Sequence, residues 1–104
     1  MTVLEVARLA VRPGSEDAFE EAFAQAAEIL YAAAGQLTVD LTRATETSAT
    51  PGAYVLLVSW RELEDHVVTF VGSASFQTFL GLLTPHLAAP PQVAHYELLP
   101  EDLH

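Results

Sequence analysis

His66 is the residue of this chain whose type and surroundings are best suited to chemistry. It lies one predicted helical turn before Phe70 and directly follows two acidic residues, Glu64 and Asp65. A neighbouring carboxylate can keep an imidazole protonated or fix its tautomer. If it faced a pocket, this histidine could accept a phenolic proton as a general base. The simpler interpretation is an exposed helix histidine beside Asp65, because histidines near charges are commonly structural.

Glu5 and Arg8 are charged residues in an unusual place, within the otherwise apolar run Val3–Val11. Charges on a central strand are costly unless they are paired. Because side chains alternate along a strand, the two point to opposite faces of the sheet. We expect Arg8 to pair with a carboxylate such as Asp40 or Glu97. For Glu5 two interpretations stay open: an acid in a pocket, or a residue at the end of the sheet in contact with water.

The four histidines of the chain do not form a recognisable metal motif. None has a histidine three or four residues away, as a helix-borne metal site requires. The chain has no cysteine, and it lacks the Gly-rich and Walker-type sequences that bind nucleotide cofactors. We therefore predict no metal and no cofactor. His95 and Tyr96 are adjacent on the last predicted strand, so at most one of them can face a cavity.

Composition restricts the partners of the protein. Fourteen acidic residues against four arginines give a net charge of −10. Nucleic acids and anionic membranes need basic surfaces, so we expect neither as a partner. The 104 residues suffice for one hydrophobic core, which predicts a single domain over 1–104, with its core at about 3–99 and a short acidic tail at 100–104. Neither a leader peptide nor a membrane-length apolar run is present, so we expect a cytoplasmic protein.

The elements that must position these residues follow from periodicity and breaks in the sequence. Apolar runs predict strands at Val3–Val11, Gln36–Arg43, Tyr54–Trp60 and Val93–Leu99. Helical spacing predicts a helix from Ser15 to a cap at Gly35, and a second helical region broken at Gly72-Ser73. A Thr- and Ser-rich loop joins the middle strands over residues 44–52. This order predicts a ferredoxin-like split βαβ sandwich of the α+β class, a four-stranded antiparallel sheet with helices on one face.

Two of the predicted strands, Val3–Val11 and Tyr54–Ser59, are apolar on both sides. Since the helices cover one face, the apolar side chains on the other face need a second cover. We predict a homodimer in which a second copy packs sheet against sheet through a two-fold interface. The alternative is a hydrophobic face that is partly covered by loops.

Taken together, these segments resemble the antibiotic biosynthesis monooxygenase domain. The resemblance rests on a strand closed by Trp60, a Leu-Glu-Asp-His helix at 63–66, Phe70, a Ser-Ala-Ser-Phe break at 73–76 and a Leu-Thr-Pro-His-Leu sequence at 83–87. An opening strand that ends in Pro-Gly before an acidic helix fits the same layout, as does the closing strand with Tyr96. The resemblance covers about residues 3–99. It implies a dimeric α+β barrel with one small-molecule cavity per subunit, between the helices and the sheet.

The resemblance also suggests which residues line that cavity. The expected substrate-binding residues are Glu5, Ala7, Trp60, Phe70, Phe76 and Leu80. Large aromatic side chains dominate small cores, so the alternative for the aromatic members is a core role. The haem-degrading branch of the family carries Asn, Trp and His at the positions of Ala7, Phe70 and Leu80, so the resemblance does not extend to haem chemistry.

Two functions of different classes follow from this resemblance. One is a cofactor-independent monooxygenase that oxidises a small aromatic, phenolic or quinol substrate, with His66 as its catalytic candidate. The other is a non-catalytic small-molecule-binding or protective module of the same fold, since a fold does not fix a function. A protein that merely dimerises through its sheet is a third option, which the aromatic-rich pair of helices disfavours.

Overall fold

The computed structural model describes residues 1–45 and 53–100. Most of the predicted loop at 44–52, and the acidic tail beyond residue 100, lie outside the described residues. Among those described, no helix has the length and apolar composition needed to cross a bilayer. The elements in chain order are β1 (Val3–Leu9), α1 (Glu16–Tyr31), β2 (Gln36–Arg43), β3 (Tyr54–Trp60), a π-helical segment (Asp65–Phe70), α2 (Ala74–Leu83), a 3-10 turn (Thr84–His86) and β4 (Gln92–Glu97).

The four strands form an antiparallel sheet in the order β2-β3-β1-β4. This order confirms the predicted ferredoxin-like sandwich of the α+β class. Along β1, the side chains of Glu5, Ala7 and Leu9 are buried toward the helices, whereas Arg8 is exposed on the other face. We call that other face, which the helices do not cover, the open face. β1 ends two residues earlier than predicted, and Val11 forms an isolated bridge instead.

Within the chain, the predicted pairing of Arg8 with Asp40 or Glu97 is wrong. The register places Glu97 beside Val3, on the helix-facing side, while Arg8 lies on the open face. Asp40 belongs to β2, which β3 separates from β1. None of the ion pairs formed within residues 1–45 and 53–100 involves Arg8.

The first helix is shorter than predicted. Helical spacing buries its apolar stripe, which consists of Phe19, Phe23, Ala26 and Leu30. The helix ends at Tyr31 instead of continuing to a cap at Gly35, because the N–H of Ala33 turns back to the carbonyl of Leu30 at 3.0 Å. Gly35 has a left-handed φ of 83° in the link to β2. It lies directly against the side chain of Asp65.

β2 departs from the predicted alternation at its start. The pairing with β3 shifts register between Gln36 and Thr38, so Leu37 lies in an irregularity of the strand and is 48% exposed. Val39 and Leu41, beyond the irregularity, are half-buried as predicted. An inserted residue of this kind bends a strand locally, and it leaves no trace in a simple alternation of residue types.

The predicted break between the two helical pieces is present and has a clear cause. The hydroxyl of Ser73 accepts the N–H of Phe76 at 3.1 Å, which caps α2, and donates to the carbonyl of Phe70 at 2.6 Å. Before the break the chain is π-helical, since the N–H of Val71 bonds to the carbonyl of His66, five residues earlier, at 2.9 Å. Such wide turns are rare and often occur at functional sites.

Replacing Gly35 by alanine should destabilise the fold more than replacing Gly14. Both glycines have a left-handed φ, 83° and 88°, so each alanine costs about 1–2 kcal/mol in backbone strain. A methyl group at Gly14 meets no atom within 4 Å, whereas at Gly35 it would lie 2.7 Å from Cβ of Asp65. That side chain would have to move and release the N–H of Glu62, which it accepts at 3.0 Å.

We therefore expect Gly35→Ala to lower the free energy of unfolding, measured in urea, by about 1 kcal/mol more than Gly14→Ala. Equal losses in the two variants would contradict the close approach of Gly35 to Asp65.

Candidate active site

A cavity of about 410 Å³ lies between the helix-facing side of the sheet and the second helical region. β1, β4, the π-helical segment and α2 all contribute to its wall. Among the described residues that line it, the side chains are apolar except for three that lie together: Glu5, His66 and His95. Its volume falls in the range of small-ligand sites, which are typically apolar with a few placed polar groups.

Glu5 stands in the middle of β1, beside Val58 of β3 and His95 of β4. Its side chain is 8% exposed, and its Oε1 accepts the indole N–H of Trp60 at 3.0 Å. Burial raises the pKa of Glu5 because it penalises the charged carboxylate, and the bond from Trp60 opposes that rise. Of the two interpretations left open by the sequence, the structure supports an acid at a cavity wall.

His66 lies on the inner side of the π-helical segment, over Trp60. The two rings stack with centroids 5.0 Å apart and an angle of 17° between their planes. Nε2 of His66 is 3.4 Å from Oε1 of Glu5, and Nδ1 of His66 is 2.8 Å from Nε2 of His95. Both nitrogens of His66 therefore face a protein group, and the three titratable side chains form one continuous chain.

The burial of His66 determines its charge. The residue is 6% exposed, and burial, together with the adjacent imidazole of His95, lowers its pKa to about 4. His66 is therefore neutral near pH 7, so its acidic sequence neighbours do not hold it protonated. Asp65 instead accepts the backbone N–H of Glu62. The interpretation of His66 as an exposed helix histidine is wrong.

His95, the third side chain of this row, was not among the predicted site residues. Pairing of β4 with β1 places His95 beside Glu5, on the cavity side, and Tyr96 beside Leu4, on the open face. Tyr96 is 54% exposed there. The alternation along the strand restricted the choice to one of the two residues, and the register against β1 was needed to make it.

The residues expected to bind a substrate divide into two groups. Four of them line the cavity: Glu5, Ala7, Phe76 and Leu80. Trp60 and Phe70 lie behind the wall, buried and packed with ring centroids 5.6 Å apart. Phe70 also meets Phe76 edge to face at 5.5 Å, an orientation that aromatic pairs favour. The buried pair thus supports the lining from behind.

The arrangement of the polar groups is suited to proton transfer. Because the two ring nitrogens of His66 face different partners, the three side chains do not aim at one common point. Within the part of the chain that the structure describes, no group of three or more His, Cys, Asp and Glu side chains could hold a metal ion. A carboxylate and two imidazoles in a row can pass a proton from one to the next.

The depressed pKa of His66 predicts a pH dependence of stability. The folded value of about 4 lies below the ordinary value of 6.5, so the unfolded chain binds more protons between these values. Stability is therefore lost as the pH falls from about 6.5 toward 4. Glu5 acts in the opposite sense, because its raised pKa favours the protonated folded form.

We expect the unaltered protein to lose about 2–3 kcal/mol more than His66→Gln over this pH range, measured by urea unfolding. Glu5 is present in both proteins, so its contribution largely cancels. A parallel pH dependence in the two proteins would show that His66 is not buried in its neutral form.

Comparison with known proteins places this chain in a family. Residues 2–81 match the antibiotic biosynthesis monooxygenase family. YczJ, a Bacillus subtilis protein of unassigned function, is 38% identical over 95 residues, which are 91% of this chain and 97% of that protein.

Solved structures show the same likeness. A Bordetella bronchiseptica protein, provisionally described as an antibiotic biosynthesis monooxygenase, is 37% identical with a TM-score of 0.86, over 94% of this chain and 97% of that chain. SnoaB, a cofactor-independent oxygenase from Streptomyces nogalater, is 18% identical with a TM-score of 0.79, over 95% of this chain and 94% of that chain, a likeness of fold alone. By the family match and the close relatives together, the chain belongs to the antibiotic biosynthesis monooxygenase family.

Proposed function

We propose that this protein is a cofactor-independent monooxygenase that oxidises a small aromatic substrate, a phenol or a quinol. The observation that carries the proposal is the apolar cavity whose polar lining is confined to the linked side chains of Glu5, His66 and His95. Membership of the family supports an oxygenase, and SnoaB shows that the fold can serve an oxygenase without a cofactor. His66, the catalytic candidate from the sequence, lies in this row between Glu5 and His95.

The proposed reaction balances without a cofactor. An electron-rich phenol or anthrone becomes reactive toward O2 once it has lost a proton. In an anthrone, O2 converts the ring CH2 group into a carbonyl, and the second oxygen atom leaves as water with the two hydrogens. The substrate supplies all four electrons that O2 takes up, so no external reductant takes part. The protein has to bind the ring, accept a proton and exclude water.

The lining is suited to a flat ring with one polar end. Ala7, Phe76 and Leu80 would contact the ring, while its hydroxyl end would lie toward the polar part of the lining, which Glu5, His66 and His95 form. Trp60 and Phe70 would act on the substrate through the residues that they support. The proposal thus assigns contact with the ring to Ala7, Phe76 and Leu80, and a positioning role to Trp60 and Phe70.

Filling the cavity tests the proposed site. Leu80→Trp would place an indole inside the lining, whereas Thr78→Trp alters the exposed side of the same helix. We expect oxygen uptake above the rate without protein for at least one compound in a panel of hydroquinones and anthrones, with no flavin, metal or haem added. Leu80→Trp should lose that uptake, and Thr78→Trp should keep it.

Uptake at the rate without protein across the panel would contradict a monooxygenase. If calorimetry then showed that the same compounds bind the unaltered protein and not Leu80→Trp, the non-catalytic binding module would be the better description.

We also propose that the chain forms a homodimer through the open face of its sheet. Leu4, Val6, Val55 and Leu57 are neighbours in the middle of that face and are half-buried. A sheet face in contact with water is normally polar, and here Tyr96 extends the apolar area. A second copy can cover such a strip through a self-complementary interface.

A charge in the middle of the strip should separate the proposed dimer. We expect light scattering to give twice the chain mass of 11.2 kDa for the unaltered protein and the single mass for Val6→Arg. Val68→Arg makes the same change at a residue that is 64% exposed on the π-helical segment, and it should leave the dimer intact. A single chain mass for the unaltered protein would rule the dimer out.

A further inference from the structure

We propose that Glu5, His66 and His95 form a directional proton relay in which Nδ1 of His95 meets the substrate and Glu5 is the final proton acceptor. The identity of the substrate rests on the proposed function, whereas the relay concerns groups of the protein itself. His95 lies outside the residues that match the family, so the family match assigns it no role.

The geometry leaves one nitrogen free to act on a ligand. His66 has both ring nitrogens engaged, with Glu5 at 3.4 Å and His95 at 2.8 Å. Nε2 of His95 is occupied by the same contact. Nδ1 of His95 has no hydrogen-bond partner within the described residues, and this side chain is half-buried at the cavity wall. His66 is therefore a positioning residue, and His95 is the group that can touch the substrate.

The proposed direction of the relay follows from placing a donor against the carboxylate of Glu5. The carboxylate of Glu5 already accepts the indole N–H of Trp60, and a carboxylate can accept a second donor. In the proposed relay, His66 carries its proton on Nε2, which is 3.4 Å from Oε1 of Glu5, and its Nδ1 accepts from Nε2–H of His95, 2.8 Å away. Nδ1 of His95 is left with a free lone pair. The 3.4 Å separation is long for a hydrogen bond, as catalytic contacts often are before a ligand is bound.

Transfer along this chain conserves every proton. A substrate proton arrives at Nδ1 of His95, and the Nε2 proton of His95 moves to Nδ1 of His66. The Nε2 proton of His66 then moves to Oε1 of Glu5. Both rings end neutral with their protons on the opposite nitrogens, and the carboxylate becomes a neutral acid. The substrate is left as its anion.

The surroundings favour this end state over a protonated histidine. Burial penalises a charged imidazole at His66, and it likewise favours the neutral acid at Glu5. Within residues 1–45 and 53–100, no other titratable group lines the cavity: β1 contributes Glu5, β4 contributes His95, the π-helical segment contributes His66, and the lining residues of β3 and α2 are apolar. Glu5 is therefore the proposed buried acceptor of the proton.

The ligand-free protein gives a first test that needs no activity. Long-range proton–nitrogen NMR correlations should show both His66 and His95 as neutral rings with the proton on Nε2 at neutral pH. The proton on Nδ1 of either ring would overturn the proposed direction.

A second test follows proton transfer in the cavity directly, with 4-nitrophenol as the probe. Its bound phenolate can be distinguished from bound phenol by absorbance. Glu5→Gln keeps an oxygen for Trp60 and His66 but cannot take up the proton. We expect the bound phenolate-to-phenol ratio at a fixed pH to fall at least about tenfold in Glu5→Gln and in His95→Gln. His86→Gln, which changes a histidine outside the lining, should not alter it.

An unchanged ratio in Glu5→Gln and His95→Gln would overturn the relay. With a compound that the unaltered protein oxidises, both substitutions should lower kcat about 10²- to 10⁴-fold with little change in KM. Turnover that survives His95→Gln would refute the relay and leave the monooxygenase standing. If the NMR and nitrophenol results were as expected but no oxygen uptake were found, the relay would stand and the monooxygenase would be refuted.

Discussion

The hydrogen bond from the indole of Trp60 to the buried carboxylate of Glu5 is the interaction on which the site depends. A carboxylate in the middle of a central strand is costly unless donors surround it. The partners come from neighbouring strands, because Val3 pairs with Trp60 and Glu5 pairs with Val58. Trp60 thus reaches Glu5 diagonally along the same face of the sheet. Its ring is also the surface on which His66 stacks, so one side chain holds both the acid and the imidazole.

The π-helical segment is the second constraint, because it brings His66 and Phe70 inward together. Both are buried, and both pack against Trp60, with ring centroids at 5.0 and 5.6 Å. Ser73 ends this short π-helical segment. Its hydroxyl donates to the carbonyl of Phe70 and also accepts the N–H of Phe76, which begins α2. The wall of the cavity therefore depends on a local deviation from α-helical geometry, positioned by a single serine.

The sequence predicted the order of elements, the ferredoxin-like arrangement and the break before α2, since each has a local signal in periodicity or capping. It placed Glu5 and Ala7 on one face, because alternation along a strand is a strictly local property. It could not choose between His95 and Tyr96, because that choice depends on how β4 registers against β1. The hydrogen bond of Trp60 could not be predicted for the same reason, because its partner Glu5 is 55 residues away in the sequence. The charge of His66 was also beyond reach, since burial and not its acidic neighbours determines it.

The alternation that separates Glu5 from Val6 also links the cavity to the open face. The helix-facing residues of β1 and β3 build the site, and the residues between them, Val6 and Leu57 among others, form the apolar strip. A slip of one residue in β1 would exchange the two sets, placing Glu5 on the open face and Val6 in the cavity. The bond between Glu5 and Trp60 cannot form in the slipped register. The hydrogen bond between Glu5 and Trp60, which positions the polar side chains of the cavity, therefore also keeps the apolar strip on the open face for the proposed dimer. Loss of Glu5 should make the register of β1, and with it the identity of both faces, less well specified.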